Sequence, residues 1–286
     1  MAKTQDLKRR IRSVRNTMQL TKAMKMVSAA KLRRAQERIM NARPYAHQTL
    51  AVLRSVALRA EEDAHPLLQA RVGKKAHIIL IAGDKGLCGA FNSHIIRTAE
   101  EYVRENLESH EISITTVGKK SLQYFERRDW EIKQSLVDIF RNVQFSHAEE
   151  IATAAIERFL SGEVDSVYVA YNEFKSAIQA SPIVHPLLPI QRIEPAEGDI
   201  AEDYIYEPSA DALLKALLPH YVRHLIFQAL LESAGAEHAA RMTAMDSATN
   251  NASELIDSLT LTMNRVRQAS ITTEIIEVVS GAEALS

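Results

Sequence analysis

A heptad pattern near the C-terminus constrains the fold of this chain more than any other feature. Apolar or small residues recur there at alternating steps of four and three: Ala248, Ala252, Leu255, Leu259, Thr262, Val266 and Ala269. This spacing is typical of a helix that packs along one partner helix. With Ser209 as N-cap and Asp211 in the first turn, it predicts a single helix over residues 209–286, about 110 Å long at about 1.5 Å per residue.

The predicted contact stripe of this helix consists largely of small side chains. Its Ala and Ser members are Ala244, Ser247, Ala248, Ala252, Ala269 and Ser270. Small side chains bury little area each, but they let two helix backbones approach closely. We therefore expect close fit to matter more than buried area in this pairing.

The N-terminal residues show the same spacing and predict a second long helix over residues 1–58. Its stripe comprises Leu7, Ile11, Val14, Met18, Thr21, Ser28, Leu32, Ala35, Ile39 and Ala42, with Lys25 as the one misfit. Pro44 removes a backbone donor and clashes with the preceding turn, so we expect a kink there. Residues 59–75, which include Pro66 and Gly73, have the composition of a linker.

Between the two helices, short β-rich runs alternate with helical ones. Strands are predicted at 77–82, 112–117, 132–137 and 164–171, and helices at 93–107, 119–128 and 146–160. The alternation favours a central, Rossmann-like α/β domain over residues 76–208 with a largely parallel sheet. Residues 178–190 are interrupted by three prolines and are expected to form an edge strand or an extended arm.

The fold class expected is α/β with a long antiparallel coiled coil, in which the N- and C-terminal helices form a shaft. A left-handed twist is expected for the pair. If Ala57 lies near Ser209, residue i faces roughly residue 266 − i, and the first helix ends opposite Val266. The turns beyond Val266 are apolar, with Ile271, Ile275, Ile276, Val278 and Val279. An apolar helix end without a partner in its own chain predicts that other chains surround it.

Composition excludes several classes of protein. Of the 286 residues, 46% are hydrophobic and 25% are charged, as in ordinary globular proteins. Cys88 is the only cysteine in the sequence, so an internal disulfide framework and a cysteine zinc site are both excluded. No apolar run is long enough to cross a bilayer, and the N-terminus lacks a secretory signal, so we expect a soluble or peripheral protein.

Charge is distributed unevenly along the chain. Residues 1–43 contain thirteen Lys and Arg against two acidic residues, a balance of +11, and the total of −1 leaves −12 for the remainder. The same segment has no aromatic residue, which argues against a nucleic-acid binder and against a helix lying on a membrane. We favour an acidic protein partner, with a basic coiled coil that binds nucleic acid as an alternative.

A glycine-rich turn at 83–89 lies between a predicted strand and a predicted helix, where phosphate-binding loops occur. Its glycines have the spacing G-x-x-G-x-x-G, whereas the dinucleotide motif is G-x-G-x-x-G, and no G-K-[S/T] sequence follows. We prefer a tight strand-to-helix turn, with a nucleotide-dependent enzyme or regulator as the alternative.

The sequence predicts neither a metal site nor a catalytic site. His220 and His224 share a helix face, but no third ligand lies at motif distance, so we interpret them as structural. No Ser-His-Asp or Cys-His arrangement has a recognisable motif around it. The chain is therefore expected to be non-catalytic by itself and to need no cofactor.

Three separated blocks of sequence form a specific pattern when taken in order. The first is RIRSVRNT at 10–17, continued at 21–27 and 30–35, and the second is DKGLCGAFN at 84–92. The third is RQASIT at 267–272 with Glu274, Glu277, Gly281 and Ala282. In this combination the chain resembles the γ subunit of the F-type ATP synthase, of bacterial type, over essentially its whole length.

The resemblance implies a non-catalytic rotor of the central stalk. In that family the paired helices turn inside a ring of three α and three β subunits, while the α/β domain lies below, against the ε subunit and the membrane ring of c subunits. Rotation couples proton flow to ATP synthesis, or ATP hydrolysis to pumping. The implied location is peripheral, on the cytoplasmic face of the bacterial plasma (inner) membrane, with no nucleic acid and no small-molecule substrate of its own.

The resemblance also assigns contact residues. Those expected to face the α and β subunits are Thr21, Lys22, Met24, Lys25, Arg241, Gln268, Thr272, Glu274 and Glu277. Those expected to meet the c-ring and ε are Tyr204, Tyr206 and Glu207. The chain differs from the family pattern at Lys85, where Arg is common, and at Gly83, where Ser or Thr is common. It lacks the cysteine-bearing insert of chloroplast relatives, which argues against thiol regulation, and a transit peptide, which favours a bacterial source.

Overall fold

A computed structural model describes residues 2–57, 65–176, 179–191 and 210–283. The chain divides into two compact units. One, named the coil unit, comprises Met1–Ala29 with Arg241–Ser286; the other, named the sheet unit, comprises Ala30–Ala240. Two long helices, α1 (Ala2–Ala57) and α5 (Ala210–Glu283), contribute residues to both units, as the heptad patterns predicted.

The sheet unit contains one five-stranded sheet. Its strands are β1 (Lys75–Ile81), β2 (Glu111–Val117), β3 (Glu131–Leu136), β4 (Ser166–Phe174) and β5 (Ala180–Leu188). They lie in the order β3-β2-β1-β4-β5, with β1 to β4 parallel and β5 antiparallel to β4. The predicted α/β class with a largely parallel sheet is therefore confirmed.

Three helices connect the parallel strands: α2 (Phe91–Asn106), α3 (Lys119–Phe125) and α4 (Phe145–Leu160). Each predicted strand and helix of the central region is present, with ends that differ from the prediction by at most three residues. β1 is buried from Ala76 to Ile81, because helices cover both faces of a parallel sheet. Ile78 and Leu80 of β1 belong to the same buried cluster as Ile95 of α2.

The antiparallel strand β5 lies at the edge of the sheet. It contains Pro182 and Pro186, which pair with Asn172 and Tyr168 of β4. Proline cannot donate a ladder hydrogen bond, so a strand that contains two prolines is tolerated only where one side needs no donor. Of the two predicted forms for this segment, the edge strand is confirmed.

α1 continues through Pro44 as one helix, and the predicted kink there stays a prediction. Within the predicted linker, Pro66–Leu68 forms a short 3-10 helix in which Leu67 is fully buried. The backbone N–H of Ile190 donates to the carbonyl of Leu67 at 2.8 Å. This stretch therefore packs within the sheet unit.

Within the sheet unit, α1 and α5 approach closely at Gly235. A Cβ at this position would lie 3.2 Å from Cδ1 of Ile39 and 3.6 Å from the ring of Phe174. Such a separation is tight for carbon atoms, so glycine leaves the room that Ile39 occupies. Gly235 thus has a packing reason to lie inside a helix, where it costs stability relative to alanine.

In the coil unit, the predicted stripe of α1 is confirmed. Leu7, Ile11, Val14, Met18, Thr21, Lys25 and Ser28 are all buried or half-buried. The stripe predicted for α5 is wrong in part, because Ser247, Leu255, Thr262 and Ala269 are exposed. Ile256 and Met263 are half-buried instead, together with Ser270, which the prediction included. Both columns have heptad spacing, so spacing alone did not identify the buried one.

The two helices of the coil unit run antiparallel, as predicted. Thr21 lies opposite Thr249 and Lys25 opposite Asp246, so residue i faces about residue 270 − i. The predicted register of 266 − i is therefore wrong by about one helical turn. The prediction assumed that the two helix ends are level, which a connection through an entire sheet does not require.

Candidate functional site

The residues assigned to subunit contacts on α1 lie in the coil unit, and Thr21 points into the coil. It is 8% exposed, and its hydroxyl oxygen lies 2.8 Å from that of Thr249 on α5. The Thr249 hydroxyl also lies 2.7 Å from the carbonyl oxygen of Met245. Thr21 therefore contributes first to helix pairing in this chain.

Lys25, the misfit in the heptad pattern, occupies a stripe position and has a partner on the other helix. Its Nζ lies 2.6 Å from Oδ1 of Asp246, with the two side chains 41% and 46% exposed. An ion pair this accessible to water adds little stability. It nevertheless gives the one charged residue of the α1 stripe a complementary charge across the coil.

The outer surface of α1 in the coil unit combines positive charge with exposed apolar side chains. Lys22 is exposed and Met24 is half-buried. Leu20, Met26 and Val27 are 62%, 61% and 57% exposed. The family block at 21–27, which the resemblance places against the ring, includes Met26 and Val27, whereas Leu20 lies just before it. Leu20 and Val27, seven residues apart, lie on one side of the helix, and Met26 lies about 100° around it, nearer to Lys22. An isolated coil does not need exposed apolar side chains of this kind.

Basic side chains extend this surface toward the N-terminus. Lys8, Arg9, Arg12 and Arg15 are exposed, and Arg10 pairs with Asp6 at 3.4 Å. On the other helix of the coil unit, Glu254 and Asp257 are exposed. The two helices therefore present surfaces of different charge.

The C-terminal end of α5 is exposed on every side. All residues of 271–282 are exposed, including the assigned contacts Thr272, Glu274 and Glu277, and so is Gln268. Ile271, Ile275 and Val278 are 48%, 58% and 72% exposed. The register places the first residues of α1 opposite about residue 268, so α5 extends beyond its partner. The predicted exposed apolar end is confirmed.

The threonines of this end are bonded within the helix. The hydroxyl of Thr272 donates to the carbonyl of Gln268 at 3.0 Å, and that of Thr273 donates to the carbonyl of Ala269 at 3.0 Å. The remaining assigned contact on α5, Arg241, is half-buried. The predicted contacts Tyr204, Tyr206 and Glu207 lie outside the described residues.

The glycine-rich turn is organised by Asp84. Its Oδ1 accepts the backbone N–H groups of Lys119 at 3.1 Å and Asp138 at 2.9 Å, and its Oδ2 accepts that of Phe140 at 3.4 Å. Asp84 therefore connects the loops that follow β1, β2 and β3. A carboxylate that already accepts three backbone donors is a structural group.

A second carboxylate lies against the same turn. A Cβ at Gly83 would lie 3.2 Å from Oε1 of Glu237, a buried residue of α5, and also 3.2 Å from Oδ1 of Asn92. The N–H of Gly83, which a phosphate-binding loop offers to its ligand, donates instead to Asn92 at 2.8 Å. Two carboxylates at this point repel a phosphate, so the geometry favours the tight-turn interpretation over nucleotide binding.

The histidines have structural surroundings. The ring of His224 lies 5.3 Å from that of Phe145, and burial, together with the charge of His220, lowers its pKa. Among the described residues, no group of three potential metal ligands comes together. No helix in the described ranges is both long enough and apolar enough to cross a membrane.

His77 is a buried histidine that the sequence analysis did not single out. Its Nδ1 lies 2.8 Å from the hydroxyl of Ser113, and its Nε2 lies 2.9 Å from that of Thr115. Burial lowers the pKa of His77 to about 3, with smaller contributions from Arg158 and Lys133. The ring is therefore neutral at physiological pH and joins β1 to β2.

Comparison with known proteins identifies the family. The model of the ATP synthase family matches residues 3–285 of the chain. An ATP synthase gamma chain from Anaeromyxobacter sp. (strain Fw109-5) is 49% identical over 289 residues, covering 100% of both chains. The gamma chain of Pelotomaculum thermopropionicum is 49% identical over 286 residues, again covering 100% of both. The chain belongs to the ATP synthase gamma chain family.

Solved structures agree with this family. A chain in the central stalk and c-ring structure of the Tetrahymena thermophila mitochondrial ATP synthase is 28% identical, with a TM-score of 0.61 over 80% of this chain and 99% of that one. A chain of the Euglena gracilis mitochondrial rotor is 19% identical, with a TM-score of 0.64, and shares the fold over 94% of this chain and 99% of that one. A gamma chain is a non-catalytic stalk component, so the predicted family and the predicted non-catalytic role are confirmed.

Proposed function

We propose that this gamma chain is the rotor of an ATP synthase, turning inside a ring of three α and three β subunits. In this role it couples proton flow to ATP synthesis, or ATP hydrolysis to proton pumping. The observation that carries the proposal is the exposed end of α5, in which Ile271, Ile275 and Val278 all face solvent. Isolated proteins rarely leave such a surface bare, and a surrounding ring would cover it on all sides.

The asymmetry of the coil supplies a mechanism. Two antiparallel helices have no threefold symmetry, whereas a ring of three identical pairs nearly has it. Here one helix presents Lys8, Arg9 and Arg12, and the other presents Glu254 and Asp257. Each orientation of the coil therefore offers different side chains to each subunit pair, and a ligand-binding conformation that is favoured at one position is disfavoured at the next.

Subunit contacts are proposed from the resemblance and from exposure. On α1, exposed Lys22 and half-buried Met24 are proposed to face the ring, together with the exposed side chains of Leu20, Met26 and Val27. On α5, the proposed contacts are the exposed residues Gln268, Thr272, Glu274 and Glu277 and the half-buried Arg241. Thr21 and Lys25 act through the pairing of the helices, because both have partners on α5.

Attachment to the membrane is proposed to be indirect. Tyr204, Tyr206 and Glu207 are assigned to the c-ring and ε, which would hold the chain at the cytoplasmic face of a bacterial plasma membrane. The Tetrahymena relative belongs to a structure of the central stalk and c-ring, which supports this arrangement. Residues 1–58 and 209–286 then serve as the shaft, 59–75 as a linker and 76–208 as the central domain.

Purification of a tagged chain from its native membranes tests the proposal. We expect three α and three β chains per copy, ε and c-ring in the same preparation, and ATPase activity that the isolated chain lacks. Recovery of a free monomer or homodimer that binds ATP or NAD by itself would overturn the rotor function and favour the glycine turn as a nucleotide site.

Binding to duplex DNA provides the test of the nucleic-acid alternative. A chain held on DNA by its basic helix must be released as salt rises. We expect the assembled complex to show no such retention, because the basic surface of α1 is then occupied by protein.

A further inference from the structure

In the coil unit, apolar spacing alone does not decide which face of α5 turns toward α1. One column of α5 is Leu255, Thr262 and Ala269, and the adjacent column is Ile256, Met263 and Ser270. Each pairs with the shared stripe positions Ala252, Leu259 and Val266 at heptad spacing. The columns differ by one residue, which is about 100° around a helix.

Apolar character favours the second column. Both columns have one large aliphatic residue and one small residue, but the second has Met263, a large apolar side chain, where the first has Thr262. In the structure the second column is half-buried and the first is exposed, with Leu255 48% exposed. Hydrophobic burial scales with apolar area, so Met263 favours the observed face, and polar contacts between the helices add to that preference.

Polar contacts between the helices favour the observed face. Thr21 lies opposite Thr249, with oxygen atoms 2.8 Å apart, and Lys25 lies opposite Asp246, with Nζ and Oδ1 2.6 Å apart. Rotating α5 about its axis until the Leu255 column faced α1 would move both Thr249 and Asp246 away from their partners. Lys25 would then lie in the stripe without a counter-charge, although a single charged residue in such a stripe strongly influences how two helices pair.

We propose that Lys25 and Asp246, aided by Thr21 and Thr249, act together with the burial of Ile256 and Met263 to set the rotation of α5 about its own axis relative to α1. Lys25 is thus a positioning residue. It helps to turn Leu255, Leu261 and Thr262 outward, where the ring of the proposed complex would meet them. The pairing itself is a property of the chain alone and holds whether or not the chain is a rotor.

Disulfide trapping in the full-length chain tests the proposal. The observed register places Val14 opposite Ile256, so cysteines at these positions should cross-link readily in a Cys88→Ala background. A matched chain carries the second cysteine at Leu255, on the exposed column. The ratio of the two initial cross-linking rates measures which face of α5 is turned toward Val14.

Charge variants then separate the proposed contact from general effects. Lys25→Asp places two like charges together, and we expect it to lower the 256-to-255 rate ratio by about two- to fivefold. Adding Asp246→Lys should restore the ratio, because the pair is rebuilt with reversed charges. Lys22→Asp, which makes the same charge change at an exposed site nearby, should leave the ratio unchanged.

The outcomes are distinct. An unchanged ratio in Lys25→Asp, or an equal drop in Lys22→Asp, overturns the proposal. If Lys25→Asp loses helical circular dichroism, the neutral Lys25→Ala and Asp246→Ala chains take its place, with the same expected direction and a smaller drop. Because these measurements use the chain alone, they do not depend on whether it co-purifies with α and β subunits.

Discussion

Among single residues, Asp84 has the clearest structural role. Its carboxylate accepts backbone N–H groups from Lys119, which begins α3 after β2, and from Asp138 and Phe140, which follow β3. Asp84→Ala leaves these donors without their acceptor, and we expect it to lower the free energy of unfolding by about 2–3 kcal/mol. Urea denaturation of the full-length chain measures the loss.

The matched control for Asp84 is Asp129→Ala, which removes an exposed carboxylate from the same unit. We expect that change to alter the free energy of unfolding by less than about 0.5 kcal/mol, as is usual for surface positions. Equal losses in the two variants would contradict the assignment of Asp84 as the link between loops.

His77 makes stability depend on pH. The pKa of His77 in the folded chain is about 3, well below the ordinary value of 6.5. Between these two values the unfolded chain binds a proton at His77 that the folded chain does not bind. The contribution of the neutral ring is complete above pH 6.5 and is lost as pH falls toward 3. We expect the free energy of unfolding of the wild type to fall by about 1.4 kcal/mol per pH unit in this window relative to His77→Gln.

Unfolding by urea at several pH values between 4 and 7.5 measures this difference, and subtracting the variant removes the titration of other groups. His65, His185 and His224, whose pKa values are also lowered by burial, remain in both chains. A wild type and variant with parallel pH profiles would show that His77 is not buried in its neutral form.

Among the helices and strands, sheet elements were predicted better than the pairing of the long helices. The parallel strands could be identified because buried strands such as β1 read as continuous apolar runs, and the prolines of 182–189 marked the edge. The buried column of α5 could not be identified from spacing, because Leu255 and Ile256 both fit a heptad. Met263 makes the buried column the more apolar, and the contact of Lys25 with Asp246 joins residues far apart in sequence.

The small-residue stripe of α5 leads to a prediction about the coil. Ala252 is 8% exposed and Ala248 is half-buried, so Ala248→Asp with Ala252→Asp places two carboxylates between the helices. Unpaired buried charges are strongly unfavourable, so we expect the two helices of the coil to separate and ATP hydrolysis in the assembled complex to lose its coupling to proton pumping. ATP-driven proton pumping by the assembled complex is the measurement.

The same two charges on the outer surface form the control. Ser247→Asp with Ser253→Asp alters exposed positions beside the tested ones and should leave the coil paired. Unchanged pumping in the Ala248 and Ala252 double variant would mean that coupling does not need a paired coil.

For the molecule as a whole, the exposed end of α5 is the feature that points beyond the chain. Ile275→Asp with Val279→Asp makes two exposed apolar positions acidic without touching any buried residue. We expect helical circular dichroism of the isolated chain to be retained, whereas coupled proton pumping of the assembled complex falls at least about tenfold, since a hot spot of this kind is worth about 2 kcal/mol.

Ser258→Asp with Ser280→Asp gives the matched chain, with two acids at exposed positions of the same helix that are already polar. It should retain most of the coupled pumping. Equal losses in both double variants would indicate that added charge, and not lost apolar contact, is responsible.

At this scale the sequence predicted that the chain needs partners, because the two helices differ in length and one ends in apolar turns. It could not predict the register, since the offset between Thr21 and Thr249 depends on how the sheet unit separates the helix ends. Spacing places Leu20, Met26 and Val27 outside the stripe, but it could not show that their exposure serves a contact, since single exposed apolar residues are ordinary on protein surfaces.

The threonine hydroxyls at the end of α5 have a consequence for movement. Thr272 and Thr273 donate to carbonyls of their own helix, so a protein surface surrounding this end would contact their methyl groups and not free hydroxyl donors. Hydrogen bonds formed with the surrounding subunits would have to break at every step of rotation, and each would add to the barrier against rotation. Thr272 and Thr273, whose hydroxyls are bonded within the helix, should therefore add little to the barrier against turning.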